Sequence, residues 1–233
     1  MTKNSRQYSP VIPNVCEESR FKFNIYQCII FIMFIVIEGI DGAGCETQAK
    51  NLQSWLKKAN LPLSFIKYPN YEENVGKFIK EFLYQNKDLT AETQFLLYTL
   101  QFIFDKEKIR QQRQNQILIA DRYFTTTLCF QTLEGIDLKK SVDFANDFQI
   151  EKPDFVFYLN VNPDLAIKRK FGEQKEKNRR EKDFEFIRKT YRQYEQLVKN
   201  KTWANWINID GEKDIDGVTQ QIYDIILKNY GQK

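Results

Sequence analysis

The stretch FIVIEGIDGAGCETQAKNL, residues 34–52, decides how this chain folds. It opens on an apolar, β-branched run that reads as a buried parallel strand. It then turns through Gly39, Gly42 and Gly44 and takes on helical spacing from about Cys45. Glycines let a backbone approach an anion and aim successive N–H groups at it, and the following helix adds the positive end of its dipole. From Gly39 to Gly44 the spacing fits the phosphate-loop pattern G-x-x-x-x-G-K-[ST], but Cys45 and Glu46 stand where that pattern has lysine and a hydroxyl residue. The cradle is present and its usual lysine is not.

Composition narrows the chemistry. The chain has 233 residues, 42% hydrophobic and 15% aromatic, enough for a full core in one α/β domain. Lys+Arg 35 against Asp+Glu 31 leaves a net charge of +4, which suits a small anionic substrate and calls for no nucleic-acid partner. Cys16, Cys28, Cys45 and Cys129 form no C-x-x-C pair and no metal spacing, an argument for a cytoplasmic chain without a disulfide framework. The absence of histidine removes the commonest general base, Ser-His-Asp hydrolysis and most zinc chemistry. Catalysis is left to carboxylates, cations, backbone amides and a metal held by oxygen.

Residues 1–32 differ from the rest. Met1 to Arg20 is polar and aperiodic, and the apolar run Ile25 to Ile37 is too short to span a bilayer and leads straight into the loop. Met33 precedes the strand, so 1–32 reads as a dispensable extension or an early start, and 33–233 as the folded domain. Beyond the loop, helical spacing covers 45–59, 75–85, 90–114, 126–133, 139–148, a segment opened by Pro163, and 218–230. Strand-like runs fall at 63–68, 117–120, 155–159 and 206–209. The alternation argues for a parallel sheet covered on both faces, with ligands at the carboxyl ends of its strands.

A second chemical stretch is ILIADRYFTTTLCFQ, residues 117–131. A strand ending in Asp121-Arg122 sets a carboxylate and a guanidinium at the sheet edge where the phosphate loop also ends. Mg²⁺ is commonly held by one or two carboxylates with substrate phosphates and waters, and arginine grips phosphate bidentately.

Ordered motifs from Phe34 to about Tyr230 make the chain similar to thymidylate kinases, nucleoside-monophosphate kinases that phosphorylate dTMP with ATP. They are EGIDGAG followed by Thr47-Gln48, Tyr68-Pro69, Leu96-Leu97-Tyr98, Asp121-Arg122-Tyr123 with its Thr-Thr-x-x-Phe-Gln tail, Lys152-Pro153-Asp154, and Asn178-Arg179-Arg180-Glu181. The resemblance implies a P-loop kinase fold with a five-stranded parallel sheet, Mg²⁺, a homodimer, no membrane partner, and a mobile lid at about 168–182. It implies that Gly39, Ile40, Asp41, Gly42, Ala43, Gly44, Cys45, Glu46 and Thr47 wrap the ATP phosphates, with Asp41 reaching the sugar or metal region of the monophosphate. Tyr98 matches the aromatic that stacks on thymine, Arg122 the arginine on the dTMP phosphate, and Asp121 the carboxylate near Mg²⁺. Tyr68 and Pro69 fall with the substrate-binding motifs, Thr126 and Gln131 in the base pocket, and Tyr123 against the sugar. Gly42 follows Asp41 where one branch of the family has arginine, so the lid must supply it, from Arg169, Arg179 or Arg180, with Arg179 the best match to the family's D-R-x-E.

Three positions depart from the family's pattern: Cys45 for lysine, Glu46 for the hydroxyl that meets Mg²⁺, and Phe102 where a second monophosphate-binding arginine aligns. One arrangement that would preserve activity has Glu46 hold Mg²⁺ directly, with Arg122 and the lid arginines carrying the remaining charge; Thr47 offers a hydroxyl one place later. Lys50 is turned about 140° around the helix from Cys45 and is not expected to substitute for the lysine. Two alternatives stand beside a dTMP kinase: a nucleotide-binding protein that has lost phosphoryl transfer, and a kinase of another nucleoside monophosphate or of a deoxynucleoside.

Overall fold

The apolar run after Ile32 forms the central strand of a five-stranded parallel sheet of order β2-β3-β1-β4-β5. The strands are β1 (Met33–Glu38), β2 (Leu63–Lys67), β3 (Ile117–Asp121), β4 (Phe155–Asn160) and β5 (Trp206–Asp210). Residues 33–230 are described by a computed structural model, apart from 86, 173, 175 and the side chain of 230. The extension expected over 1–32 lies outside the described residues.

Every residue of β1 and β3 is buried, as continuous Ile/Val/Leu runs in a sheet covered on both faces should be. Helices α1 (Cys45–Lys58), α2 (Asn74–Tyr84), α3 (Ala91–Gln112), α4 (Phe124–Leu133), α5 (Leu138–Asp147), α6 (Pro163–Gly172), α7 (Phe184–Lys199) and α8 (Ile215–Tyr230) connect or flank the strands. Six helices expected from spacing are found within a few residues of their expected bounds, as is the one opened by Pro163. Sequence periodicity did not single out α7, although its buried Phe186, Ile187, Thr190, Tyr194 and Leu197 are spaced for one face and Asp183 caps it by accepting from the Phe186 N–H at 2.9 Å.

The strand order places the site. From β1 the chain crosses towards β2, whereas from β3 it crosses back past β1 to β4. Right-handed crossovers running in opposite directions put their helices on opposite faces and leave a crevice between the carboxyl ends of the two strands. Met33 to Ile37 pairs with Ile117 to Asp121 in register, so the loop after Glu38 and the pair Asp121-Arg122 open into the same crevice.

Candidate active site

The phosphate loop bends from Gly39 to Gly44, with the Ala43 N–H donating to the Ile40 carbonyl at 3.0 Å. Gly44 is the N-cap of α1 in the left-handed region, and among the described residues no side chain caps that terminus. The first N–H groups of a helix dipole are thereby left for an anion. Gly42 has φ +89°, and a Cβ there would lie 2.1 Å from the Ala166 carbonyl oxygen of α6. No side chain fits this position while α6 stays in place, so an arginine inside the loop is excluded by packing as well as by sequence. Gly42→Ala is expected to cost about 2 kcal/mol through the left-handed backbone and the clash. It should weaken ATP binding, read by calorimetry beside a thermal melt.

Cys45 turns inward. Its thiol is buried against the loop, and burial pushes its pKa above the ordinary thiol value. The position that would carry a lysine has become part of the core. Glu46 points to the cavity, with Oε1 2.5 Å from Lys50 Nζ and Oε2 2.8 Å from Lys67 Nζ. Lys50 lines the cavity too: its Cα is turned away from Cys45, but it lies one turn beyond Glu46 and its long stem bends along that turn.

At the end of β3, Arg122 adopts φ +66°, an uncommon state for a side chain with a Cβ. Its guanidinium lies across the loop, with Nη1 donating to the Gly39 carbonyl at 3.0 Å and Nη2 to Asp41 Oδ1 at 2.7 Å. Burial opposes the charge, but Asp41 and Glu38 hold it firmly ionised. Asp121 is buried, and burial raises its pKa against the pull of Arg122 and Lys67. Lys67 Nζ lies 3.3 Å from Asp121 Oδ2, as expected from their pairing in the β2–β3 register.

These groups line one cavity of about 560 Å³ with Gly44, Thr47, Tyr68, Pro69, Tyr98 and Thr126. Asp41 and Arg122 are in it as expected. Tyr123 and Gln131 are not. Tyr123 is 1% exposed and packs edge-on against Phe34 and Phe102, so it belongs to the core rather than to a sugar pocket. Gln131 is 2% exposed, turned from the cavity, while its neighbour Phe130 lines it. Phe102, expected where the family has an arginine, is likewise buried among Tyr68, Tyr123 and Phe124.

The lid arginines separate. Arg169 donates to the Gly211 carbonyl at 3.0 Å, outside the cavity. Arg179, the expected candidate, is held by Asp88 at 3.1 Å with its guanidinium over the Phe82 ring, also outside. Arg180 is the one that lines the cavity, paired with Glu134 at 2.7 Å and stacked over Phe186. The difference in placement between Arg179 and Arg180 has a local cause. Asn178 accepts from the Arg180 and Glu181 N–H groups while Glu181 accepts from the Asn178 N–H, a turn that sends successive side chains to opposite sides. Lys67, Lys170, Tyr71 and Tyr84 also line the cavity and were not singled out by sequence. Lys67 carried a signal, since it closes a strand beside Tyr68-Pro69, at the end where parallel sheets bind ligands.

A thymidylate kinase family model matches residues 37–222. The chain belongs to the thymidylate kinase family. It is 30% identical to the thymidylate kinase of Leptospira borgpetersenii over 86% of this chain and 96% of that one. It is 32% identical to a probable thymidylate kinase of Methanosphaera stadtmanae (84% and 98%), and 30% identical to that of Plasmodium falciparum (84% and 90%). The structure of thymidylate kinase from Candida albicans superposes with a TM-score of 0.68 at 21% identity, over 86% of this chain and 93% of that one, and so shares the fold. Among the described residues of this thymidylate kinase fold, the cavity lining includes five cations, Lys50, Lys67, Arg122, Lys170 and Arg180, and five carboxylates, Asp41, Glu46, Asp121, Glu176 and Glu181. Several of these cations are paired with carboxylates, so an incoming polyphosphate must compete with the carboxylates for them.

Proposed function

We propose that this chain transfers the γ-phosphoryl group of ATP to dTMP, giving ADP and dTDP for dTTP synthesis. The observation that carries it is the joining, in one cavity of a thymidylate kinase fold, of an uncapped phosphate loop, Arg122 and the aromatic Tyr98. A dTMP phosphate oxygen attacks the γ-phosphorus, the bond from that phosphorus to the β–γ bridging oxygen breaks, and ADP leaves with the electron pair. Such a transfer depends on positioning and on neutralising charge. The N–H groups of α1 and the cavity cations serve that end, while Tyr98, Tyr71 and Phe130 offer flat apolar surface for a base.

Mg²⁺ fits the donors present. Among the described residues no group of three or more potential ligands is found, but Glu46 and Asp121 both reach one ammonium, and two carboxylates completed by phosphates and water suit this ion. When bound it supplies charge neutralisation at the transferred phosphate. We place the protein in the cytoplasm, in keeping with the free, buried thiols of Cys45 and Cys129. Among the described residues no helix is long and apolar enough to cross a membrane.

Formation of ADP from ATP by purified protein, with dTMP, dUMP, dCMP and dGMP in parallel, tests the proposal. Turnover selective for dTMP is expected. Tight ATP binding without turnover would favour the second reading, a nucleotide-binding protein without transfer, which Cys45 and Phe102 support because neither can carry a positive charge. Turnover of a different monophosphate would reassign the substrate.

A homodimer completes the proposal. Helix α3 buries one face, yet Leu96, Leu100 and Phe104 form an exposed stripe on another at spacing i, i+4, i+8, with exposures of 57%, 38% and 68%. A second copy of this chain is the occupant that the family reading supplies. Leu100→Asp with Phe104→Asp should convert a sedimenting dimer into a monomer; a pair that stays dimeric would place the interface elsewhere.

A further inference from the structure

Lys67 occupies an unusual place. Its ammonium sits between Glu46 at 2.8 Å and Asp121 at 3.3 Å, the two carboxylates that would hold a metal ion, and it lines the cavity beside Gly44 and Thr47 at the start of α1. A lysine at Cys45 would stand at the same helix terminus, but that side chain is buried. We propose that Lys67 is an exchangeable counter-ion. Without nucleotide it occupies the metal position between Glu46 and Asp121, and when a divalent cation takes those carboxylates its ammonium moves to the ATP polyphosphate, doing the work of the missing loop lysine.

Physical reasons favour Lys67 over Arg122, Arg180 and Lys50. Arg122 is committed to Asp41 and the Gly39 carbonyl, and Arg180 to Glu134. Lys50 is more exposed, 64% of its side chain against 44% for Lys67, and is paired with Glu46 alone of the two metal-position carboxylates. Lys67 rises from the last residue of a sheet strand, which fixes its stem, while its four-carbon side chain leaves the ammonium free to swing. The charge balance also closes: a divalent ion satisfies two carboxylates that one ammonium satisfies only in part, and the released positive charge is then available to the phosphates.

The proposal rests on the kinase reading for its nucleotide, but its first test does not need turnover. In Lys67→Met, which keeps the stem and removes the charge, Mn²⁺ binding without nucleotide, followed by electron paramagnetic resonance, should tighten about tenfold because a charged competitor has gone. In the same variant ATP should bind about tenfold more weakly while AMP, which lacks the β- and γ-phosphates, binds as before. Lys67→Arg should restore ATP binding, and melting curves establish that each variant is folded. Unchanged Mn²⁺ affinity, or an equal loss for ATP and AMP, overturns the proposal. If wild type and variant show the expected metal and ATP shifts but neither phosphorylates a nucleotide, the kinase reading fails and the counter-ion stands.

Discussion

Arg122→Ala is expected to lower kcat/KM for dTMP phosphorylation by ~10³-fold or more, the scale on which an arginine at a transferring phosphoryl group acts. The side chain is built for this. Its guanidinium has five N–H donors, of which one is spent on the Gly39 carbonyl and one on Asp41 Oδ1, so the loop and the guanidinium hold each other while further donors stay within the cavity. The left-handed backbone at Arg122 accompanies a side chain laid across the sheet edge towards the loop after β1. Arg122→Lys should recover little, because a lysine cannot make both contacts and present a planar fork. The loss should fall mainly on kcat/KM for dTMP, read by steady-state kinetics with both substrates varied. An Arg122→Ala protein that is folded and within tenfold of wild type would remove Arg122 from the reaction. The melt matters, since Asp41 and the buried Glu38 lose their nearest cation in the same substitution.

The fold was legible because its signals are local and repeated. The glycines of the phosphate loop, the apolar runs of β1, β3 and β4, and Pro163 at the first turn of α6 each mark an element where the structure has one. Within the site, legibility followed backbone proximity. Asp41, Glu46, Asp121 and Arg122 sit at strand or loop ends whose place the topology dictates, and all four line the cavity. Tyr123 was misplaced because one residue beyond Arg122 the chain enters α4, where its ring turns into the aromatic core. Arg179 and Arg180 differ by a single step around a turn whose direction is set by the hydrogen bonds of Asn178 and Glu181, which spacing does not encode. Lys50 and Lys67 show the opposite error. Helical angle describes where a Cα lies, whereas a lysine stem reaches a carboxylate one turn away or on the neighbouring strand.

Glu38→Ala should cause the largest loss of stability, about 3 to 5 kcal/mol, the scale for removing one partner from a buried charged network. Glu38 closes β1 with no exposure to solvent, and its carboxylate accepts from the hydroxyls of Thr125 at 2.6 Å, Thr126 at 2.8 Å and Tyr194 at 2.8 Å. Alanine strands these donors and leaves Arg122 without a carboxylate 3.9 Å away. The melting temperature should fall on the order of 10 °C for a chain of this length. The effect reaches the site, because Thr126 lines the cavity and α4 is joined through Glu38 to β1 and to Tyr194 of α7. Glu38→Gln isolates the charge. Burial lifts the Glu38 pKa above its ordinary value, further than Arg122 and the three hydroxyls pull it down. A carboxyl with a raised folded pKa costs nothing below the unfolded value of about 4.3, and costs stability as pH climbs from there through the folded value. Glutamine does not titrate, so the advantage of wild type over Glu38→Gln in urea unfolding should shrink as pH rises across that window. A gap that widens instead would mean that the hydroxyls and Arg122 outweigh burial, and that Glu38 is a preferred anion anchoring α4, α7 and the phosphate loop to one strand end.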